Sequence, residues 1–160
     1  MQLGDALAGH VVHEAVGEEV RRSAFILRHA LVVAGHAGIL VYFADGPNAD
    51  FFAPAIENVG ALVIPSISVY EVFKRVLQQR GEDTALQAVT VMTQGRIVDL
   101  DVPLALDAAK ISADLRLPMA DSIILATVRV YQATLWTQDE HFERVAGVKY
   151  IEKRPTSKAV

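Results

Sequence analysis

The chain has 160 residues, of which 52% are hydrophobic and 21% are charged. This length and composition indicate one compact globular domain and exclude a disordered or fibrous chain. The formal net charge of −4 excludes the general attraction to nucleic acid of a basic domain, and the absence of cysteine excludes disulfides and thiolate chemistry, which fits a reducing, cytoplasmic compartment.

The N-terminal part of the sequence lacks a regular pattern. Residues 1–30 carry apolar residues on a loosely helical period, and we interpret them as an atypical helical extension. His10 and His13 lie three residues apart but have no evident third ligand, so they are interpreted as surface histidines. The apolar run 30–44 contains His36 and is shorter than the roughly 18 residues of a membrane span, so we expect no membrane association.

Short apolar runs alternate with helical patterns from Leu62 onward. The pattern predicts four strands, at 62–68, 96–101, 134–137 and 148–152. Between and after them it predicts helices at 69–80, 83–93, 103–115, 120–131 and 140–145. This alternation is typical of an α/β fold with a mostly parallel sheet covered by helices on both faces, followed by a tail at 154–160.

Three acidic residues fall at the junctions of the predicted elements. Glu71 completes a capping box with Ser68, Asp121 lies in a first helical turn where the helix dipole favours a negative charge, and Asp139 can cap the short helix that follows it. Each position therefore has an ordinary structural explanation. Taken together they have a second one, because helices that cover a parallel sheet begin at the carboxyl edge of its strands.

The carboxyl edge of an open α/β sheet is where ligands bind. Carboxylates crowded there repel each other unless a hard cation neutralises them, and Mg²⁺ or Mn²⁺ accepts such oxygen ligands. A bound cation of this kind would suit phosphodiester cleavage, since it activates water and stabilises charge on the phosphate. The sequence thus predicts a Mg²⁺ or Mn²⁺ site formed by Glu71, Asp121 and Asp139.

The segments LVIPSISVYEVFKRVL, KISADLRLPMADSIILATVRVYQATLWTQDEHF and VKYIE closely resemble the PIN-domain ribonucleases, particularly the VapC-like toxins of toxin–antitoxin pairs. The resemblance covers roughly residues 42–152, within a PIN-like domain at 31–153, and implies a three-layer fold. It also implies RNA cleavage with Mg²⁺ or Mn²⁺ bound by Glu71, Asp121 and Asp139, and Thr137 as an accessory hydroxyl. A cognate antitoxin and a homodimer are the implied partners.

The first metal ligand of the family is missing from this pattern. Aligning a family-like VVDSSGWLEYF with LVVAGHAGILVYF places Gly35 at the aspartate position and Val41 where an acidic residue is common. The chain could be an inactive relative that retains partner binding, or His36 could serve as another ligand. A third hypothesis, which we favour, is that an altered reading frame or start has changed the sequence before Tyr42.

Two other functions compete with a metal-dependent endoribonuclease toxin. The main alternative is a catalytically impaired PIN-like module that binds a partner because it lacks the first aspartate. A weaker one assigns the activity to a basic patch of Lys74, Arg75 and Arg80 that binds protein or RNA, although such charges usually belong to a solvated helix face.

Overall fold

The computed structural model describes residues 31–155 and contains one five-stranded sheet whose strands are all parallel. The strand order is β3-β2-β1-β4-β5, so the first strand of the sequence lies at the centre. The strands are β1 (Val32–Ala34), β2 (Leu62–Pro65), β3 (Arg96–Val98), β4 (Thr134–Thr137) and β5 (Val148–Tyr150).

Six α-helices and one short 3₁₀ turn accompany the strands in this part of the chain. The helices are α1 (His36–Phe43), α2 (Ala49–Glu57), α3 (Ser66–Arg80), α4 (Glu82–Met92), α5 (Val102–Leu115) and α6 (Met119–Val130). The 3₁₀ turn is Glu140–Phe142, between β4 and β5. None of these helices has both the length and the apolar character needed to cross a bilayer.

Side chains that alternate along the strands build a separate core on each face of the sheet. Val33 and Val63 pack with α5 and α6, whereas the next residues, Ala34 and Ile64, pack with α1 to α4. The domain therefore has three layers, with the parallel sheet in the middle. This arrangement confirms the predicted three-layer α/β fold with a parallel central sheet.

The junction between β2 and α3 differs from the prediction. The strand ends at Pro65 and the helix begins at Ser66, so Ser68 lies inside the helix and does not cap it. Ser68 is fully buried and its hydroxyl has no hydrogen-bond partner. The predicted capping box with Glu71 is wrong, because the fixed φ of Pro65 is already suited to the residue preceding a helix. The side chain of Glu71 is consequently not engaged in capping.

Two further differences concern the ends and the number of elements. The strand predicted at 96–101 ends at Val98, and Asp101 instead caps α5 by accepting a hydrogen bond of 2.9 Å from the Leu104 amide. Helix α2, which contains Pro54, has no counterpart among the predicted elements. The predicted extension at 1–30, with His10 and His13, lies outside the described residues.

Candidate metal centre

The carboxyl edge of the sheet gathers the residues that the sequence predicted for the site. Gly35 follows β1 directly, Glu71 lies on the helix that follows β2, and Thr137 ends β4 with Asp139 two residues later. Asp121 reaches the same edge from the first turn of α6, which runs back to the start of β4. The topology thus brings these five positions together from four separate segments.

His141 connects two of the carboxylates. Its Nδ1 lies 2.9 Å from Asp121 Oδ2 and 3.1 Å from Asp139 Oδ1. Within residues 31–155, Asp121, Asp139 and His141 form the one group of three whose ligand atoms all lie within 4.8 Å of each other. The sequence analysis did not single out His141, and its only signal was its position two residues after Asp139 in TQDEHF.

Glu71 has a different partner, His36. The Nδ1 atom of His36 lies 2.7 Å from Glu71 Oε2, and both side chains are about one-quarter exposed, at 26% and 27%. His36 was the sequence-based candidate for a replacement ligand. In the structure it instead contacts Glu71, with which it forms an ion pair when protonated.

Electrostatics tie these groups into one site. Burial raises the pKa of the Asp121 carboxyl above its ordinary value, the charge of Asp139 raises it further, and His141 and His36 partly oppose the shift. Burial lowers the pKa of His36, but Glu71, followed by Asp121 and Asp139, outweighs burial, so this pKa lies above its ordinary value. Asp121 and His36 therefore each experience the charges of the neighbouring groups.

Thr137 shapes the turn that carries Asp139. Its side chain is buried, and its hydroxyl accepts a hydrogen bond of 3.0 Å from the Asp139 amide. Asp139 in turn caps the 3₁₀ turn, since its Oδ1 accepts a hydrogen bond of 3.0 Å from the His141 amide. The prediction that Asp139 caps a short helix is confirmed, and the same bonds fix its position at the edge.

Gly35 lies where a side chain would face this turn. It precedes α1 with φ −61° and ψ 150°, a conformation open to any residue. A Cβ atom at Gly35 would lie 3.3 Å from Thr137 Oγ1 and 3.7 Å from the Trp136 carbonyl oxygen. The absent carboxylate therefore belongs to the same cluster, and the space for it is tight.

A groove of about 1160 Å³ extends from the site between α1, α3 and α4. His36 and Glu71 line one part of it, and apolar residues of α1 line another. The groove is also bordered by five basic residues, Lys74, Arg75, Arg80, Lys153 and Arg154. The three basic residues of α3 noted in the sequence thus lie beside the acidic cluster, in a chain whose net charge is negative.

The chemistry of the donor atoms fits a divalent cation. Asp121 is 4% exposed, and the carboxylate of Asp139 and the imidazole of His141 converge beside it. Burial, followed by the charge of Asp139, raises the pKa of Asp121, and a bound cation would oppose both effects. Asp121 and Asp139 would hold the ion. Glu71 lies on the helix that follows β2 and contacts His36.

Comparison with known proteins agrees with this fold. The PIN domain family model matches residues 37–148, and the chain belongs to this family. No curated protein matches the chain. The family match begins two residues after Gly35, and it includes Glu71, Asp121, Thr137 and Asp139.

Several solved structures share the fold at low sequence identity. A toxin–antitoxin complex from Klebsiella pneumoniae is similar with a TM-score of 0.63 and 19% identity, covering 74% of this chain and 95% of that one. FitAcB from Neisseria gonorrhoeae is similar with a TM-score of 0.62 and 19% identity, covering 76% of this chain and 97% of that one. A third similar structure is VapC20 from Mycobacterium tuberculosis, which is described as a sarcin–ricin loop cleaving toxin. Its TM-score is 0.61 at 13% identity, and the match covers 78% of this chain and 99% of that one. The domain therefore has the fold of VapC-like PIN domains.

Proposed function

We propose that this protein is a metal-dependent endoribonuclease that acts as the toxin of a toxin–antitoxin pair. The observation that carries the proposal is the convergence of Asp121 and Asp139, with Glu71 nearby, at the carboxyl edge of a PIN fold. A Mg²⁺ or Mn²⁺ ion bound there would supply activation of water and stabilisation of charge on the phosphate. The proposed substrate is RNA, and the proposed location is the cytoplasm.

The chain's own residues have distinct tasks in such a site. Asp121 and Asp139 would hold the cation, and burial of Asp121 keeps its carboxylate in a fixed place. Thr137 holds the turn of Asp139 through the amide hydrogen bond, so it positions a ligand and does not need to react itself. The groove with its five basic residues leads to this edge and suits a phosphate backbone.

The partners are proposed from the similar structures. The Klebsiella structure is described as a toxin–antitoxin complex, and another similar structure is described as VapBC2 from Rickettsia felis bound to a promoter DNA fragment. We propose that this chain likewise binds a cognate antitoxin and forms a homodimer. Co-expression with its genomic neighbour, followed by size-exclusion chromatography with mass measurement, tests both partners.

The decisive test of the activity is Asp121→Asn. We expect this variant to lose RNA cleavage in Mn²⁺ by about a hundredfold or more, because it removes a ligand whose charge holds the cation. Asp83→Asn, which removes the same charge at an exposed position on α4, is the matched control and should keep full activity. Purified wild type that binds the metal but cleaves no RNA contradicts the proposal.

Loss of folding can be separated from loss of function. The pKa of Asp121 is raised in the folded protein, so its contribution favours folding at low pH and disfavours it as the pH rises through the folded pKa. At neutral pH the metal-free wild type therefore carries a destabilising charge. Asp121→Asn should melt in EDTA at a temperature no lower than the wild type, as measured by circular dichroism.

A second candidate function is a binding module without catalysis. Gly35 favours it, because this position supplies no carboxylate to the cluster. The two histidine–carboxylate pairs would then neutralise the cluster without metal. Calorimetric titration with Mn²⁺ distinguishes the two functions, since a module of this kind would show no binding at the edge.

A further inference from the structure

The Nδ1 atom of His141 contacts both aspartates of the acidic cluster. His141 Nδ1 lies within 3.1 Å of a carboxylate oxygen from both Asp121 and Asp139, and no carboxylate comes from position 35. A single Nδ1 atom carries at most one proton, so it can serve as a full donor to only one of two acceptors. Simple hydrogen bonding therefore leaves one of the two contacts poorly satisfied.

A metal ion satisfies all three atoms at once. Two ligands on adjacent corners of an octahedral ion, each about 2.1 Å from it, lie about 3.0 Å from one another. The two observed separations, 2.9 Å and 3.1 Å, have this value. Nδ1 is thus spaced from each oxygen as a neighbouring ligand would be, and the ligand atoms of the three residues lie within 4.8 Å of one another. Binding requires that Nδ1 exchange its proton for the ion.

The backbone holds the imidazole in this position. The His141 amide donates to Asp139 Oδ1, and the next residue, Phe142, is 2% exposed and anchors the 3₁₀ turn in the core. The side chain of His141 itself is 48% exposed. The ring can therefore be substituted without opening the core, while its attachment to the site is fixed.

We propose that His141 is a metal ligand through Nδ1 and replaces the carboxylate that is absent at position 35. The resulting site mixes nitrogen and oxygen ligands with Asp121 and Asp139, which shifts its preference from Mg²⁺ towards Mn²⁺ because imidazole is a softer ligand than carboxylate. His36 has a different role, since its Nδ1 contacts Glu71. The inference rests on the metal binding in the proposed function and assigns the ligand set of this chain.

The direct test is the electron spin-echo spectrum of Mn²⁺ bound to the full-length protein. Wild type should show nitrogen hyperfine coupling from one imidazole, and His141→Gln should lose it. His36→Gln is the matched control, because it removes the other histidine of the site, and it should keep the coupling. Thermal melts of each variant verify folding before the spectra are compared.

Calorimetry gives a second, independent readout. His141→Asp supplies a third carboxylate, so it should increase Mg²⁺ affinity by about tenfold and reduce the ratio of Mn²⁺ to Mg²⁺ affinity. His141→Gln should weaken Mn²⁺ binding about tenfold without increasing Mg²⁺ affinity. Neither measurement requires the protein to cleave RNA.

The outcomes separate this inference from the proposed function. Nitrogen coupling that disappears only in His141→Gln supports the ligand assignment even if no RNA is cleaved. A wild-type spectrum without nitrogen coupling, or coupling that disappears in His36→Gln and persists in His141→Gln, overturns the assignment. In either of those cases RNA cleavage that depends on Asp121 would still support the ribonuclease.

Discussion

Gly35 is the residue at which this site departs most from the family pattern, and the structure allows its side chain to be restored. Its φ of −61° suits any residue, and the nearest atom to an added Cβ is the Thr137 hydroxyl oxygen at 3.3 Å. A shift of a few tenths of an ångström in Thr137 would accommodate it. The hydroxyl that would move also accepts the Asp139 amide hydrogen bond, so the shift must preserve that bond.

Gly35→Asp is therefore expected to increase both metal affinity and activity. The added carboxylate completes the cluster, so Mg²⁺ affinity should rise about tenfold by calorimetry, and RNA cleavage should rise with it. Gly35→Ala adds the same Cβ without a charge and is the matched control. An equal gain in Gly35→Ala would show that the effect comes from the backbone and not from a new ligand.

The convergence of Asp121 and Asp139 at one edge could be predicted from sequence, but the side-chain contacts of this cluster could not. Asp121 and Asp139 flank one helix and one strand, so topology alone returns them to the same edge. The contacts of His36 and His141 depend on side-chain rotamers and on a short turn, neither of which has a periodic signal. Sequence reasoning considered His36 because it is adjacent to Gly35, and it overlooked His141.

At the scale of elements, the contact between α1 and α2 depends on a glycine. A Cβ atom at Gly38 would lie 2.4 Å from Phe52 Cε1, and Phe52 is fully buried. The two helices can approach this closely only because Gly38 has no side chain. Phe52 also packs edge-on to Phe51, at 5.0 Å between ring centroids, which limits its freedom to move aside.

Gly38→Ala should destabilise the protein by about 1–3 kcal/mol, because it overpacks a filled core. Urea unfolding followed by fluorescence of the single tryptophan measures the change. Phe52→Leu replaces the ring that an added Cβ would contact. In a double-mutant cycle, Gly38→Ala should therefore reduce the free energy of unfolding by less in the Phe52→Leu background than in the wild type. Additive effects of the two substitutions would show that the ring does not limit the approach of the helices.

Some elements were predictable and others were not, for local reasons. The alternation of strands and helices after Leu62 was sufficient for β2 to β5 and α3 to α6, because buried strands and amphipathic helices have different periods. Helix α2 contains Pro54, a residue that normally argues against a helix interior. The start of α3 was misplaced by three residues because Ser68 and Glu71 have the spacing of a capping box but lie within the helix.

For the molecule as a whole, the distribution of charge matters more than its sum. The net charge is −4, yet five basic residues border the groove that leads to the acidic site. Composition alone argued against a nucleic-acid ligand. The fold alters that conclusion, since it brings cations from α3 and from the segment after β5 to one surface.

RNA binding should consequently depend on this groove. The test uses the Asp121→Asn background, which is expected not to cleave. In it, the double variant Lys74→Ala with Arg80→Ala should weaken binding of a short RNA. It should also reduce the slope of log binding constant against log salt concentration by about one to two. Fluorescence anisotropy at several salt concentrations measures both quantities. Lys110→Ala removes a cation that is 77% exposed on α5 and should change neither. An unchanged salt slope in the double variant would exclude the groove as the path of the RNA.

The site is formed by helix α6, which is fixed in the core, and by the more exposed turn that carries Asp139 and His141. Every residue from Asp121 to Val128 is buried, so this helix can neither rotate nor slide without disrupting the core. Asp139 and His141 lie on a short turn whose side chains are partly exposed, 26% and 48%. For the proposed metal site, any adjustment to the size of a bound ion would therefore come from the turn, because Asp121 is fixed in the core by α6.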